Sequence, residues 1–294
     1  MNALIATQIT KLKPTQAASR SIGAIMVDSG RLTVLQAEQI LRLQKLEHIR
    51  FGEAAVKLKL LSEEDIQFAL NQQYGYPCLR KGQSRISDEI VAAYQPQSAQ
   101  VEALRALRSQ LMLRWFTEEG GHKALAVVGP GSGEGRSYVA ANLAVVFSQL
   151  GENTLLIDAD LRNGRQHQLF HVENYSGLST VLSGRSPTAP VLRLSDLTAL
   201  SVLTAGPVPP NPQELLGRDI FPRLMDKFGK MFDVIIIDTP ASMDSADTQT
   251  IAARAGGAIM VARQDYTSLD AAAQLGKSLG ELEVSLIGAV INDF

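Results

Sequence analysis

The residues able to do chemistry in this chain are a run of alternate glycines and three aspartates. Gly129, Gly131, Gly133 and Gly135 precede Arg136 and Ser137 directly. Alternating glycines let the backbone curl until successive N–H groups face one anion, and a helix starting there adds its positive end. The hydroxyl of Ser137 falls where such a loop ligates Mg²⁺. Asp158, Asp160 and Asp238 each follow an apolar run. Oxygen ligands beside a phosphate cradle suit a hard divalent cation, so the pattern points to metal-bound nucleoside triphosphate. Two departures from G-x-x-x-x-G-K-[ST] stand out: Pro130 replaces the first glycine and Arg136 the lysine. Arginine keeps the charge and can fork onto phosphate oxygens, but it is bulkier.

These groups need a strand–loop–helix–strand frame. Ala124 to Val128 is an apolar run that predicts a buried strand emptying into the glycines. From Arg136 the apolar spacing becomes helical (Val139, Leu143, Val146, Phe147, Leu150), with Gly151 as the stop. Thr154 to Ile157 predicts a second strand, ending in Asp158 and Asp160. FDVIIIDTP (Phe232 to Pro240) predicts another, whose terminal Asp238 lies where open α/β sheets place ligands. Further strands are predicted at Leu200–Leu203, Gly257–Ala262 and Ser285–Ile291, and Asn211-Pro212 makes a helix start. The expected fold is an α/β P-loop NTPase with a mostly parallel sheet flanked by helices.

The chain has 294 residues, 45% of them hydrophobic, and a net charge of −2. That length suits a small domain and a larger one, and the charge gives no reason to expect a nucleic acid polymer. The single cysteine, Cys78, excludes an internal disulfide and fits a reducing compartment. No apolar run approaches the ~20 residues of a membrane span, and the N-terminus lacks a signal-peptide pattern. The expectation is a cytoplasmic protein that reaches the membrane through a partner.

The expected layout is a flexible stretch over 1–19, a repeat domain over 20–80, a linker over 81–96 and the P-loop domain over 97–294. In the repeat domain, Ser21 to Gln44 lies over Arg50 to Gln73, pairing Gly23 with Gly52, Val27 with Val56, Leu32 with Leu61 and Leu41 with Leu70. Thr33 with Gln36 and Ser62 with Asp65 fit capping boxes. On pattern alone this is a small helical adaptor. It also resembles the N-terminal MshEN domain of type II secretion and pilus ATPases, some of which bind cyclic di-GMP. That resemblance implies a dinucleotide site drawn from Arg20, Gly23, Gly30, Gln44, Arg50, Gly52 and Gln73. Ser21 and Lys59 depart from the family's arginine and glycine.

From Val101 onward the chain resembles the bacterial tyrosine kinases of polysaccharide export, a P-loop family related to the Min/Par ATPases. The likeness rests on E-x-x-R-x-x-R (Glu102, Arg105, Arg108), the glycine loop, LLIDADLR (Leu155 to Arg162), NPQELL and IIIDTP. It is nearest the EpsG-type members associated with chain-length determinants. The resemblance implies that Gly133, Glu134, Gly135, Arg136, Ser137, Tyr138 and Asn292 hold ATP. It implies Mg²⁺ on Ser137, Asp160 and Asp238, with Asp158, Asp160 and Arg136 catalytic. Glu102, Arg105 and Arg108 are assigned to contacts between subunits of a homo-oligomer; as a bare pattern they describe a solvated, charged helix face. A membrane-embedded chain-length protein is the implied activator. Kinases of this family end in a tyrosine-rich tail, whereas the last tyrosine here is Tyr266. The expected acceptor is therefore a tyrosine in trans, and the alternative is an ATP-dependent assembly switch without kinase activity.

Overall fold

The computed structural model describes residues 20–74, 76, 78–80 and 82–293. The expectation for 1–19 falls outside them. The chain divides into two compact units, with the boundary between Cys78 and Leu79.

The first unit holds α1 (Ile22–Asp28), α2 (Val34–Glu47), α3 (Phe51–Lys57) and α4 (Glu63–Gln73). Its core is the sequence repeat made spatial. Ile25, Met26, Leu32 and Ile40 of the first copy are buried, and so are Ala54, Ala55, Leu61 and Ala69 at the matching positions of the second. The turns match as well. The Gly30 N–H donates to the Val27 carbonyl, and the Lys59 N–H to that of Val56, both at 2.9 Å. Gly30 has φ 71° and Lys59 φ 55°, so the second copy keeps a left-handed turn on a residue that favours it poorly. Both predicted capping boxes form, on α2 through Thr33 and Gln36 and on α4 through Ser62 and Asp65. A groove of about 600 Å³ runs over this unit, lined by Gly23, Val34, Leu41, Gln44, Phe51 and Gln73 among others.

The second unit begins with α5 (Val91–Tyr94) and α6 (Ala99–Arg114), followed by β1 (Ala124–Val128), α7 (Arg136–Leu150) and β2 (Thr154–Asp158). Next come α8 (Gln166–Leu169), α9 (Leu178–Leu182), β3 (Leu192–Arg193), β4 (Leu200–Leu203), α10 (Pro212–Leu216), α11 (Ile220–Gly229) and β5 (Val234–Asp238). The chain continues through α12 (Asp247–Ala255), β6 (Gly257–Arg263), α13 (Leu269–Glu281) and β7 (Ser285–Asn292). The strands form one sheet in the order β3-β4-β2-β5-β1-β6-β7, parallel except where β3 meets β4. β1, β2 and β5 are buried along their whole length, because both faces are covered. Leu125 and Val127 of β1 point into one core and Ala124, Ala126 and Val128 into the other, the period-two alternation of a strand.

Within the stretch expected to be a linker, 81–96, residues 82–96 pack as part of the second unit. Ile86, Ile90, Ala92 and Ala93 are buried in the core shared with α6 and α7. Asn142 of α7 accepts from the Ala92 N–H at 2.9 Å, and Gln149 donates to the Ala92 carbonyl at 2.9 Å. Buried amides on α7 thus hold this segment, and no local pattern in the segment itself announces them.

Candidate active site

β1 and β5 are neighbours, as are β2 and β5, so the parallel sheet brings their carboxyl ends together. Asp158 lies in direct register with Asp238. The glycine loop leaves β1 beside them. Gly133 (φ 75°) and Gly135 (φ 93°) take the left-handed conformations that turn the chain sharply into α7. The segment after β5 is stitched to this loop: the Ser242 N–H donates to the Gly129 carbonyl and the Met243 N–H to that of Pro130.

Asp158 and Asp238 are fully buried. Burial and then the neighbouring Asp238 charge raise the Asp158 carboxyl well above its ordinary range. Burial pushes Asp238 up to about 6, against hydrogen bonds from Gln166 and Ser137 and the charge of Arg136, all of which favour its ionised form. The Oδ1 atoms of both aspartates are buried without a hydrogen-bond partner, as is Oε1 of Gln166. Buried oxygens left over in one place are costly unless a cation or donor completes them. An all-oxygen set beside the Ser137 hydroxyl fits Mg²⁺, which takes one or two carboxylates and fills its other positions with phosphate and water. Among the described residues, no group of three or more His, Cys, Asp and Glu side chains is arranged to hold a metal by itself.

The remaining predicted residues divide. Asp160 sits at the same strand end, but its Oδ1 accepts from the Arg162 and Asn163 N–H groups at 3.1 and 2.8 Å, shaping the turn. The Arg136 guanidinium lies inside the loop, donating to the Gly131 carbonyl and, at 3.1 Å, to that of Thr239. Glu134 is buried beneath the loop, where its carboxylate accepts from the Thr267 hydroxyl at 2.8 Å. Asn292 donates to the Glu134 carbonyl at 3.1 Å and so braces the loop from β7. Tyr138, in the first turn of α7, packs against the core, and burial raises its hydroxyl pKa. On α6, Arg105 pairs with Glu102 at 3.2 Å, while Arg108 turns inward to the Val146 carbonyl at 2.8 Å.

In the first unit, Gly23, Gln44 and Gln73 line the groove. Arg20 pairs with Asp28 at 3.3 Å, and the Arg50 N–H donates to the Glu53 carboxylate. Gly30 serves its turn, and Gly52 packs so closely on Ile66 that a Cβ would lie 3.0 Å from it.

Comparison with known proteins fixes the lineage. Residues 122–287 match the family model described as "Cellulose biosynthesis protein BcsQ". The tyrosine-protein kinase YwqD of Bacillus subtilis is 36% identical over 215 residues, which cover 73% of this chain and 90% of the relative. The chain belongs to the BcsQ family and groups with the bacterial tyrosine-protein kinases. The tyrosine-protein kinase etk of Escherichia coli K12 is 35% identical over 206 residues, covering 69% of this chain but only 28% of that longer relative. The solved structure of the kinase domain of Escherichia coli tyrosine kinase ETK superposes with a TM-score of 0.67 at 32% identity, covering 73% of this chain and 82% of that one. Cell-division ATPases named MinD share the P-loop fold at lower identity. Among the described residues of this chain, no helix is long and apolar enough to cross a membrane.

Sequence reasoning passed over two residues that the geometry places in this site. Gln166 joins Asp158, Asp238 and Ser137, and Asp247 holds Arg162 through an ion pair at 2.9 Å. The DADLR motif marks Arg162, but nothing local marks its partner in α12.

Proposed function

We propose that this chain binds ATP·Mg²⁺ at the carboxyl ends of β1, β2 and β5 and transfers the γ-phosphoryl group to a tyrosine of another protein chain. The observation that carries the reading is the pair of buried, unpartnered Oδ1 atoms on Asp158 and Asp238 beside the Ser137 turn. N–H groups of Gly133 to Ser137 cradle the phosphates, and Ser137, Asp160 and Asp238 are the residues for the metal, which neutralises phosphate charge when bound. Asp158, with one carboxylate oxygen uncommitted, receives the phenolic proton as the tyrosine oxygen bonds to phosphorus and the bond to the β,γ-bridging oxygen breaks. Positioning and charge neutralisation do most of the work in such transfer.

By kinship with the export kinases, the setting is regulation of exopolysaccharide chain length, biosynthesis or export. The enzyme acts at the cytoplasmic face of the inner membrane, recruited by a chain-length determinant protein, and assembles as a homo-oligomer through Glu102 and Arg105. The first unit reports cyclic di-GMP to this machinery; its groove lined by Gly23, Gln44 and Gln73 supports that role.

A second reading is favoured by Arg136, whose guanidinium is taken up by protein groups inside the loop. On this reading ATP drives assembly with the membrane partner without phosphoryl transfer. Transfer of radiolabelled γ-phosphate decides, using the full chain, the cytoplasmic segment of the membrane partner and Asp158→Asn as control. Label on tyrosine that is lost in the control establishes the kinase. Tight ATP binding with no label on any protein establishes the switch instead.

A further inference from the structure

Gln166 opens α8, and its side chain is fully buried although it is polar. Its position follows from the loop before it. The turn capped by Asp160 brings the chain back over β2, and Gly164 lets it pass close: a Cβ there would stand 2.9 Å from Asp158 Oδ2 and 2.6 Å from the Cβ of Ala205. The Gln166 main-chain N–H consequently reaches Asp158 Oδ2 at 2.9 Å. Its side-chain Nε2 donates at 2.8 Å to Asp238 Oδ2 and at 3.1 Å to the Ser137 carbonyl. Two acceptors on one nitrogen fix which way round the amide lies.

One residue therefore ties together the ends of β2 and β5 and the first turn of α7. Each aspartate is held by its Oδ2, so the oxygen each leaves uncommitted is Oδ1. We infer that Gln166 is a positioning residue: its amide orients Asp238 and the Ser137 turn so that the Asp238 carboxylate and the Ser137 hydroxyl meet one divalent cation. The inference rests on the ATP·Mg²⁺ reading above. Partners of this kind, one step behind the ligands, typically govern metal affinity by 10–100-fold. A glutamine that merely fills a polar gap in the core would leave metal affinity unchanged once the protein was folded.

The test uses the full chain and two titrations. The first follows fluorescent mant-ADP in EDTA, and the second follows Mn²⁺ binding to the protein·ADP complex by loss of the free-ion EPR signal. Gln166→Leu keeps the volume and the main-chain bond to Asp158 but removes Nε2. The expected result is at least about tenfold weaker Mn²⁺ binding with mant-ADP affinity in EDTA within about twofold of the parent. Gln166→Asn, whose amide is withdrawn by one methylene, is expected to fall between them, and it serves if the leucine variant does not fold. Unchanged Mn²⁺ affinity in a folded variant overturns the inference. So does an equal loss of metal and metal-free nucleotide affinity, which would mark a general collapse of the loop. If the unsubstituted chain binds no mant-ADP, the nucleotide reading fails first and takes this one with it.

Discussion

The Arg136 guanidinium stands 3.6 Å from the Glu134 carboxylate, and both side chains are buried within the same phosphate-binding loop. A buried carboxylate this close to a triphosphate opposes binding, and it also occupies the one cation the loop supplies. Glu134→Gln keeps an acceptor for Thr267 and removes the charge. ATP affinity, measured with mant-ATP, is expected to tighten by about three- to tenfold, or ~1 kcal/mol. Weaker binding would show that Glu134 is needed to shape the loop.

Asp238 gives the nucleotide-free protein a distinct pH response. Its folded pKa of about 6 lies above the ordinary 3.8, so the folded state binds the proton more tightly than the unfolded one. The contribution to stability is complete below the unfolded value and is lost as pH rises through the folded one. The gap corresponds to about 3 kcal/mol once both states are ionised. Asp238→Asn is expected to melt higher than the parent in EDTA, by more at pH 8 than at pH 5. ATP with Mg²⁺ should stabilise the parent and leave the variant largely unmoved. A melting difference that shrinks with rising pH would refute the assignment.

The parts of this site legible in the sequence are those whose signal is local. β1, β2 and β5 are covered on both faces, so they had to be short, continuous apolar runs, and a carboxylate closing such a run is conspicuous. The glycine loop is equally plain, because only its residue types permit its φ values. Gln166 is different. Its meaning comes from a strand 72 positions away in sequence, and a glutamine in a polar loop carries no periodicity. The packing of residues 82–96 is hard to read for a related reason: their polar composition hides four buried apolar residues, and the backbone of one of them, Ala92, is held by side chains of α7. β3 is two residues long and antiparallel at the sheet edge, too short for any alternation to show.

Gly177 is constrained by contact. A Cβ added there would lie 2.3 Å from the Thr204 carbonyl oxygen and 2.4 Å from the Gly206 nitrogen, both main-chain atoms that cannot step aside cheaply. Asn174 clamps the same crossing through two hydrogen bonds with Gly206, at 2.7 and 3.3 Å. Gly177→Ala should therefore cost about 1–3 kcal/mol, the range for forced overpacking, in urea unfolding of the second unit. A loss under ~0.5 kcal/mol would mean that the crossing is looser than these distances imply.

Lys59 tests the repeat in the first unit. It occupies the turn that Gly30 fills in the other copy, with the same hydrogen bond and a positive φ of 55°. The left-handed conformation costs a residue with a Cβ roughly 1–2 kcal/mol. Glycine avoids that cost but gives back about 0.5–1 kcal/mol through the greater freedom of its unfolded chain. The side chain is exposed, so little packing is lost. Lys59→Gly is expected to raise the unfolding midpoint of the first unit by the equivalent of ~0.5–1 kcal/mol, followed by far-UV circular dichroism in urea on the full chain. Gly30→Lys, placing the same residue in the matching turn, should lower it by a similar amount. If the two substitutions moved stability in the same direction, the turns would not be equivalent and the repeat would not extend to backbone conformation.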